Sequence, residues 1–310
     1  MQTRAIGTLT VSVVGVGCNN FGRRIDAERT EAAIHAALDA GINFFDTADV
    51  YGNGLSEEYM GRAFKGRRDQ AVIATKFAAK MEGQGQGAHP DYIRKAVEAS
   101  LRRLDTDYID LYQLHRPDPD VPIAETLGAL DELVQAGKVR EIGCSNFSAE
   151  QLRDADGGVK EGAARFNSVQ NHYSMLHREP EAAVLAECKR LGQGFLPYFP
   201  LESGLLTGKY RLGQAVPEGT RLTNNAAARS DERLALVEPL IQFAKAHGHS
   251  ILELAVSWLL AQPVVSSVIA GVTTPEQAQA NAAAAGWPLT DAELRELDGI
   301  MSYGNSAKEQ

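Results

Sequence analysis

Short apolar runs alternate with longer amphipathic segments from one end of this chain to the other. Eight of these runs are rich in β-branched or aromatic residues and are too short for typical helices, so they are predicted to be strands. The predicted strands cover residues 12–17, 43–46, 72–76, 109–114, 141–144, 167–171, 195–199 and 266–270. Turns containing Gly, Asp or Asn separate them from the amphipathic segments that follow.

Those amphipathic segments carry apolar residues at the helical period. The segment that begins at Asp26, a residue type suited to a helix N-cap, keeps Ile34 on its apolar face and stops at Gly41. The predicted helices cover residues 26–40, 91–104, 122–136, 179–191, 231–246, 275–285 and 291–301. Strands that alternate with helices in this way predict parallel βα units.

Two folds fit this alternation, a doubly wound open sheet and a (β/α)8 TIM barrel. The barrel is favoured because polar residues stand at the C-terminal end of nearly every predicted strand, the face where barrel active sites lie. One α/β domain is expected over residues 1–310, with residues 1–10 forming a hairpin that covers the bottom of the barrel. The long connections 77–89 and 201–229 are expected to be functional or mobile.

Composition narrows the possible partners and location. The net charge is −9 and the longest basic cluster is Lys65-Gly66-Arg67-Arg68, so neither a nucleic acid nor a membrane is an expected partner. The apolar runs are too short for a signal peptide or a membrane span. Three widely spaced cysteines, Cys18, Cys144 and Cys188, suggest neither a disulfide framework nor a zinc site. A cytoplasmic enzyme is expected, with no signal for its oligomeric state.

The most informative residues follow three successive predicted strands. These strands end at Asp46, Lys76 and His115, and a tight loop after the first carries Tyr51. Alone, each has an ordinary explanation as a turn cap, a packing residue or a solvated side chain. Together they suit carbonyl reduction, which needs a proton for the nascent alkoxide. A nearby ammonium would lower the phenol pKa from its ordinary value of about 10, and Asp46 could neutralise the lysine.

These motifs carry a family resemblance. Phe45-Asp46-Thr47-Ala48 with Tyr51-Gly52, then Ala74-Thr75-Lys76 and Leu114-His115, resemble the aldo-keto reductase tetrad, and the likeness extends over residues 9–297. The branch it resembles includes the potassium-channel β subunits. The resemblance implies an NAD(P)H-dependent carbonyl reductase with Tyr51 as general acid and Lys76 as the modulator of its pKa. It implies that Asp46 partners the lysine and that His115 orients a small carbonyl or alcohol substrate.

The resemblance also implies a set of cofactor-binding residues. The pocket floor would be Gly17, Cys18, Asn19 and Asp46. The nicotinamide would meet Ser145, Asn146 and Gln170, with Tyr198 stacked on its ring. The loop over the pyrophosphate would supply Pro200, Leu201, Ser203, Gly204, Lys209 and Arg221. The adenosine end would lie near Gly271, Thr273, Gln277 and Asn281, at a predicted helix N-terminus.

Two departures from the family pattern concern the cofactor. Residues 271–281 contain no Lys or Arg, where many members hold the 2′-phosphate with a basic side chain. The family most often uses NADP(H), which is the favoured cofactor, but the missing basic side chain leaves NAD(H) as an alternative. Phe199 stands where the common pattern has Ser, which removes one polar contact.

Two other interpretations compete with an active reductase. One is a cofactor-sensing binding protein of the potassium-channel β kind, in which the chemistry is slow. The other is a structural metal site at His247 and His249, which are two residues apart and so do not share a helical face. For the substrate, Phe21, Phe77 and Tyr173 are expected as aromatic walls, which suits an apolar or aromatic carbonyl or a sugar ring.

Overall fold

The computed structural model describes residues 1–83, 85–216 and 230–306, of which residues 302–306 are described by backbone alone. The described strands are β1 (Thr3–Ile6), β2 (Leu9–Ser12), β3 (Val14–Gly17), β4 (Phe44–Asp46), β5 (Val72–Phe77), β6 (Ile109–Leu114), β7 (Val139–Ser145), β8 (Phe166–His172), β9 (Gly194–Tyr198) and β10 (Val268–Gly271). The described α-helices are α1 (Ala27–Asp39), α2 (Leu55–Ala63), α3 (Pro90–Leu104), α4 (Ile123–Gln135), α5 (Ala149–Gly157), α6 (Val184–Leu191), α7 (Asp231–Ala246), α8 (Ile251–Leu260), α9 (Pro275–Ala283) and α10 (Asp291–Ser306).

Strands β3 to β10 form one parallel sheet in which β10 lies beside β3. The seam between β9 and β10 is closed just before β10. There the Phe195 N–H donates to Val264 O at 2.7 Å, and the Ser266 N–H donates to Phe195 O at 2.9 Å. The sheet therefore closes into the predicted (β/α)8 barrel, and the doubly wound alternative is wrong.

The N-terminal segment forms the predicted hairpin. Antiparallel β1 and β2 pair Thr3 with Ser12 and Ile6 with Leu9, so the hairpin extends two residues further than expected. Ile6 and Leu9 join Phe44, at the start of β4, in a small buried apolar cluster inside the barrel. The hairpin thus covers the end of the barrel opposite the C-terminal strand ends.

Three helices, α2, α5 and α8, are absent from the sequence prediction. Helix α2 begins after a left-handed Gly54 (φ 98°) and has no side-chain cap. Helix α8 has no polar face to set a period, because seven of its ten residues are buried. Helices α5 and α8 both carry a readable signal at their start, since Ser148 with Gln151 and Ser250 with Glu253 form capping boxes.

The predicted helix 179–191 is wrong in its first turn. Residues Glu179–Ala182 form a 3-10 helix, and α6 begins only after Ala183, whose φ of −154° leaves the helical region. The predicted helix 231–246 agrees with the structure at both ends, whereas the helix predicted at 291–301 continues to Ser306. None of the described helices combines the length and the apolar composition needed to cross a bilayer.

Candidate active site

A cleft of about 680 Å³ opens at the C-terminal ends of the barrel strands. Among the described residues it contains every predicted site residue except Lys76, which is fully buried beneath it. The predicted residues that line the cleft are Gly17, Cys18, Asn19, Asp46, Tyr51, His115, Ser145, Asn146, Gln170, Tyr198, Pro200, Leu201, Ser203, Gly204, Lys209, Gly271, Thr273, Gln277 and Asn281. Arg221 falls in residues 217–229, outside the described residues.

Lys76 and Asp46 form a buried ion pair at the ends of β5 and β4. Lys76 Nζ donates to Asp46 Oδ2 at 2.7 Å and to Thr47 O at 2.8 Å. Burial by itself lowers the pKa of Lys76, but the charge and hydrogen bond of Asp46, with a contribution from Tyr51, outweigh it and leave the pKa raised. The side chain of Lys76 is therefore an ammonium at neutral pH.

The second carboxylate oxygen of Asp46 is held by two amides from the far side of the barrel. Gln170 Nε2 donates to Asp46 Oδ1 at 2.8 Å, and Gln113 Nε2 donates to the same oxygen at 3.2 Å. Sequence reasoning missed Gln113. Its signal was its position two residues before His115 on β6, because residues two apart on a strand share a face.

Tyr51 begins a 3-10 turn between β4 and α2. The turn is sharp because Gly52 (φ 59°) and Asn53 (φ 55°) are left-handed, a conformation that these two residue types tolerate. The Tyr51 ring centroid lies 5.4 Å from Lys76 Nζ, and it meets the His115 ring edge-on at a centroid distance of 6.0 Å. Two of the other three predicted tetrad members, Lys76 and His115, thus lie against the Tyr51 ring.

The pKa of Tyr51 differs from the sequence expectation. Burial raises the pKa of this phenol, and the charge of Lys76 opposes the rise without cancelling it. The reason is that Asp46 also acts on the phenol and raises its pKa, offsetting part of the effect of the lysine. Lys76 therefore acts on the phenol in the expected direction, but burial outweighs it and leaves the pKa of Tyr51 above its ordinary value.

His115 is neutral at physiological pH. Burial, followed by the charges of Lys76 and Arg116, lowers the pKa of its imidazole to about 3. Its Nδ1 is buried and has no hydrogen-bond partner among the described residues. A neutral imidazole can donate one N–H to a carbonyl oxygen without adding charge to the site.

The predicted nicotinamide-binding residues form a connected network. Ser145 Oγ donates to Gln170 O at 2.7 Å, and Asn146 Nδ2 donates to His115 O at 3.0 Å. The Tyr198 hydroxyl donates to Asn146 Oδ1 at 2.8 Å, which fixes the orientation of the ring. These bonds connect the end of β7 to the ends of β6, β8 and β9.

The loop after β9 is held in place by Glu202. The carboxylate is 7% exposed and forms short contacts with His172 Nε2 at 2.7 Å, Ser174 Oγ at 2.6 Å and Arg233 Nη2 at 2.5 Å. Glu202 and Ser203 are both left-handed, with φ values of 47° and 55°. Burial opposes ionisation of Glu202, but its hydrogen bonds to His172 and Ser174 lower its pKa overall. Sequence reasoning missed this group because its partners lie up to 31 residues away.

The chain is similar to known proteins over nearly its whole length. Residues 13–302 match the model described as the Aldo/keto reductase family. The chain belongs to the aldo/keto reductase family. It is 40% identical over 306 residues to the aldo-keto reductase YhdN of Bacillus subtilis, covering 94% of this chain and 91% of that protein. It is 36% identical over 300 residues to a probable voltage-gated potassium channel subunit beta of Arabidopsis thaliana, covering 91% and 90%.

A solved structure agrees with this assignment. The glycerol dehydrogenase AKR11B4 from Gluconobacter oxydans superimposes with a TM-score of 0.85 at 32% identity, covering 97% of this chain and 95% of that chain. Members of the aldo/keto reductase family carry out NAD(P)H-dependent carbonyl reduction, so this chain is an oxidoreductase.

A nicotinamide dinucleotide fits the cleft of this aldo/keto reductase. The His172 ring is stacked between two others. Its centroid lies 3.8 Å from that of His177 at an interplanar angle of 5° and 5.5 Å from that of Tyr198 at 16°. Tyr198 lines the cleft, so a planar ring bound there can stack on its exposed face. Gly204 is left-handed (φ 103°), a backbone conformation that favours glycine, and it lies directly beside the end of the Lys209 side chain.

Three predicted aromatic walls are not in the cleft. Phe21, Phe77 and Tyr173 are all fully buried, and Phe77 stacks on Tyr112 instead. The aromatic side chains that do line the cleft are Tyr51, Tyr198 and Phe199. The expectation of a wall built by Phe21, Phe77 and Tyr173 is therefore wrong, because their strands and turns direct them into the core.

The histidine pair near the start of α8 has structural partners. His249 stacks on Trp287 at a centroid distance of 4.1 Å, with its Nδ1 3.0 Å from Glu253 Oε1. The Nδ1 of His247 lies 2.9 Å from Phe243 O. The described part of the chain contains no group of three or more His, Cys, Asp or Glu residues suited to hold a metal ion.

Proposed function

We propose that this protein reduces aldehydes or ketones to alcohols with Tyr51 as the proton donor. The observation that carries the proposal is the contact of the buried Lys76–Asp46 pair with Tyr51, beside a neutral His115. A bound dihydronicotinamide supplies the hydride. The neutral His115 donates a hydrogen bond to the substrate carbonyl oxygen, and the Tyr51 hydroxyl then transfers its proton to the alkoxide.

The charge of Lys76 acts on the phenolate that forms as Tyr51 gives up its proton. The lysine cannot bring the phenol pKa below its ordinary value in the free protein, because burial and Asp46 oppose it. When Tyr51 becomes a phenolate, the ammonium gains a second anionic neighbour and stabilises it. Asp46 keeps Lys76 protonated, and Gln113 and Gln170 keep Asp46 in place.

The cofactor is a nicotinamide dinucleotide in this proposal. Ser145, Asn146 and Gln170 hold its carboxamide, and Tyr198 stacks on its ring. Ser203, Gly204 and Lys209 contact the pyrophosphate through hydroxyl, backbone and charge. Fixing one face of the ring determines which hydrogen is transferred.

The test is steady-state oxidation of NADPH or NADH with a panel of aldehydes and ketones. Tyr51→Phe is expected to lower kcat by about 10²- to 10⁴-fold while its cofactor Kd stays unchanged. Tyr59→Phe is the matched control, since this half-buried tyrosine on α2 does not line the cleft. Full activity of Tyr51→Phe would exclude this proton donor.

The similarity to a plant potassium-channel β subunit favours a second candidate, a cofactor-responsive binding protein. In that case the cofactor would bind tightly and react once, slowly. Repeated turnover at a steady rate with any carbonyl of the panel would count against it. The neutral, cleft-lining His115 supports the reductase, because it gives the substrate oxygen a hydrogen-bond donor.

A further inference from the structure

The lining of the cleft contains two basic side chains among the described residues, Lys209 and Arg24. Lys209 lies beside Gly204, where we place the pyrophosphate. Arg24 belongs to the turn between β3 and α1. A cation outside the pyrophosphate loop matters here because residues 271–281, where many relatives hold the 2′-phosphate, have no base of their own.

The turn that carries Arg24 is fixed to the connection between β10 and α9. The Arg24 N–H donates to Asn20 O at 2.8 Å. The side chain of Asn20, which is 7% exposed, donates to Val272 O at 3.2 Å. Two hydrogen bonds therefore hold the backbone of Arg24 against the segment where the adenosine end is expected.

Arg29 brings a second cation to the same connection. It lies on α1, which packs against α9, and its Nη2 donates to Thr273 O at 3.5 Å. Its guanidinium makes no ion pair with any described residue. Asp26 caps α1 by accepting the Arg29 N–H at 2.9 Å, and the side-chain hydrogen bond of Glu276 goes to Thr274. Neither carboxylate neutralises the guanidinium of Arg29 by an ion pair.

We propose that Arg24 and Arg29 form the subsite for the adenosine 2′-phosphate and that this chain therefore prefers NADP(H). The inference rests on the proposed function. A phosphate monoester carries a charge of about −2 and is recognised best by guanidinium groups. The start of α9, at Pro275 after Thr273 and Thr274, adds the positive end of a helix dipole. The basic anchor would then come from the first βα unit of the barrel, next to the segment that lacks one.

The test is equilibrium titration of the full-length protein with NADPH, NADH, 2′,5′-ADP and 5′-AMP. The variants are Arg24→Gln, Arg29→Gln and the double variant. Arg23→Gln is the control, since it removes the same charge from an exposed side chain that neither lines the cleft, as Arg24 does, nor donates to the connection between β10 and α9, as Arg29 does. All three arginines are exposed, so the fold is expected to survive each change.

The wild-type protein is expected to bind NADPH at least tenfold more tightly than NADH. The double variant is expected to lose about 10- to 100-fold in affinity for NADPH and 2′,5′-ADP, the range for hydrogen bonds between charged groups, with NADH unchanged. Equal binding of NADPH and NADH by the wild type, or equal weakening of both in the double variant, would overturn the inference and leave the reductase proposal standing. Failure to bind either dinucleotide would overturn both.

Discussion

Lys76 Nζ lies 2.7 Å from Asp46 Oδ2, and their side chains are only 0% and 5% exposed. Removing two charges from water is costly, and close geometry with further hydrogen bonds must repay it. Here Thr47 O accepts a second hydrogen bond from the ammonium, and Gln170 and Gln113 donate to the carboxylate. The pair fixes a positive charge next to Tyr51 at any physiological pH.

This pair is expected to be fragile toward the loss of one partner. Asp46→Asn leaves a buried ammonium without a counter-charge and should lower the free energy of unfolding by about 3 kcal/mol. The double variant Asp46→Asn with Lys76→Met removes both charges and should recover much of that loss. Urea unfolding at neutral pH measures both. Equal destabilisation of the single and double variants would contradict the pair as the cause.

The positions of site residues could be predicted from the sequence where a local pattern, such as the end of a strand, determines them. Asp46, Lys76 and His115 could be placed together because each ends a strand with a clear period, and the ends of parallel strands share a rim. The contacts that hold these residues in place, and the balance of effects on their pKa values, could not be predicted from the sequence. Gln113 contacts a carboxylate 67 residues away, and the sign of the pKa shift of Tyr51 depends on burial against two opposing charges.

The same limit applies to whole elements. The mostly apolar run of α8, broken only by Glu253 and Ser257, carries no clear helical period that separates a buried helix from a buried strand. The aromatic residues Phe21 and Phe77 look like substrate contacts in the sequence, but both side chains are fully buried in the core. The type of α8 and the burial of these aromatic residues depend on which face of an element packs against its neighbours. The sequence of a single segment does not specify that packing.

His115 is expected to remain neutral far below the usual titration range. Its pKa of about 3 lies below the ordinary value of about 6.5, so the unfolded chain takes up the proton first as the pH falls. The folded state therefore loses stability between about pH 6.5 and pH 3. Between about pH 7.5 and pH 5 the free energy of unfolding of the wild type should fall by about 2 kcal/mol more than that of His115→Gln, as measured by urea unfolding. An NMR signal of His115 that titrates near pH 6.5 would contradict this.

Asp49 is expected to change the stability with pH in the opposite direction to His115, lowering it as the pH rises. It is 1% exposed, and neither carboxylate oxygen has a hydrogen-bond partner among the described residues. Burial, with the charge of Glu57, raises its pKa to about 7. The unfolded chain releases this proton near pH 4 and the folded one near pH 7, so stability falls as the pH rises between these values.

Asp49→Asn removes this penalty without changing the shape of the side chain. At about pH 8 the variant should be more stable than the wild type by about 4 kcal/mol, the free energy that corresponds to a pKa raised from near 4 to about 7, and this difference should shrink toward pH 4. Asp69→Asn, at an exposed position, is the control. Urea unfolding at both pH values measures the effect, and a gap that stays constant with pH would show that the Asp49 carboxyl is ionised in the folded protein.

The Glu202 contacts predict how firmly the cofactor is held. Glu202 joins its own loop to two other parts of the chain, since His172 and Ser174 lie at and just after the end of β8 and Arg233 lies on α7. His172 also stacks on Tyr198, so one side chain connects the pyrophosphate loop to the aromatic ring of the proposed nicotinamide site. Loosening Glu202 should therefore release the dinucleotide faster without changing the groups that transfer the proton.

Glu202→Gln is expected to raise the dissociation rate of the dinucleotide by about tenfold or more, the effect of losing hydrogen bonds to a charged group. Binding of nicotinamide mononucleotide, which lacks the adenosine half, should change much less. Glu187→Gln is the matched control, because Glu187 on α6 is equally shielded at 7% exposure, is paired with arginines and does not line the cleft. Stopped-flow displacement measures the rates. If both variants release the dinucleotide at the wild-type rate, the contacts of Glu202 stabilise the fold and have no part in holding the cofactor.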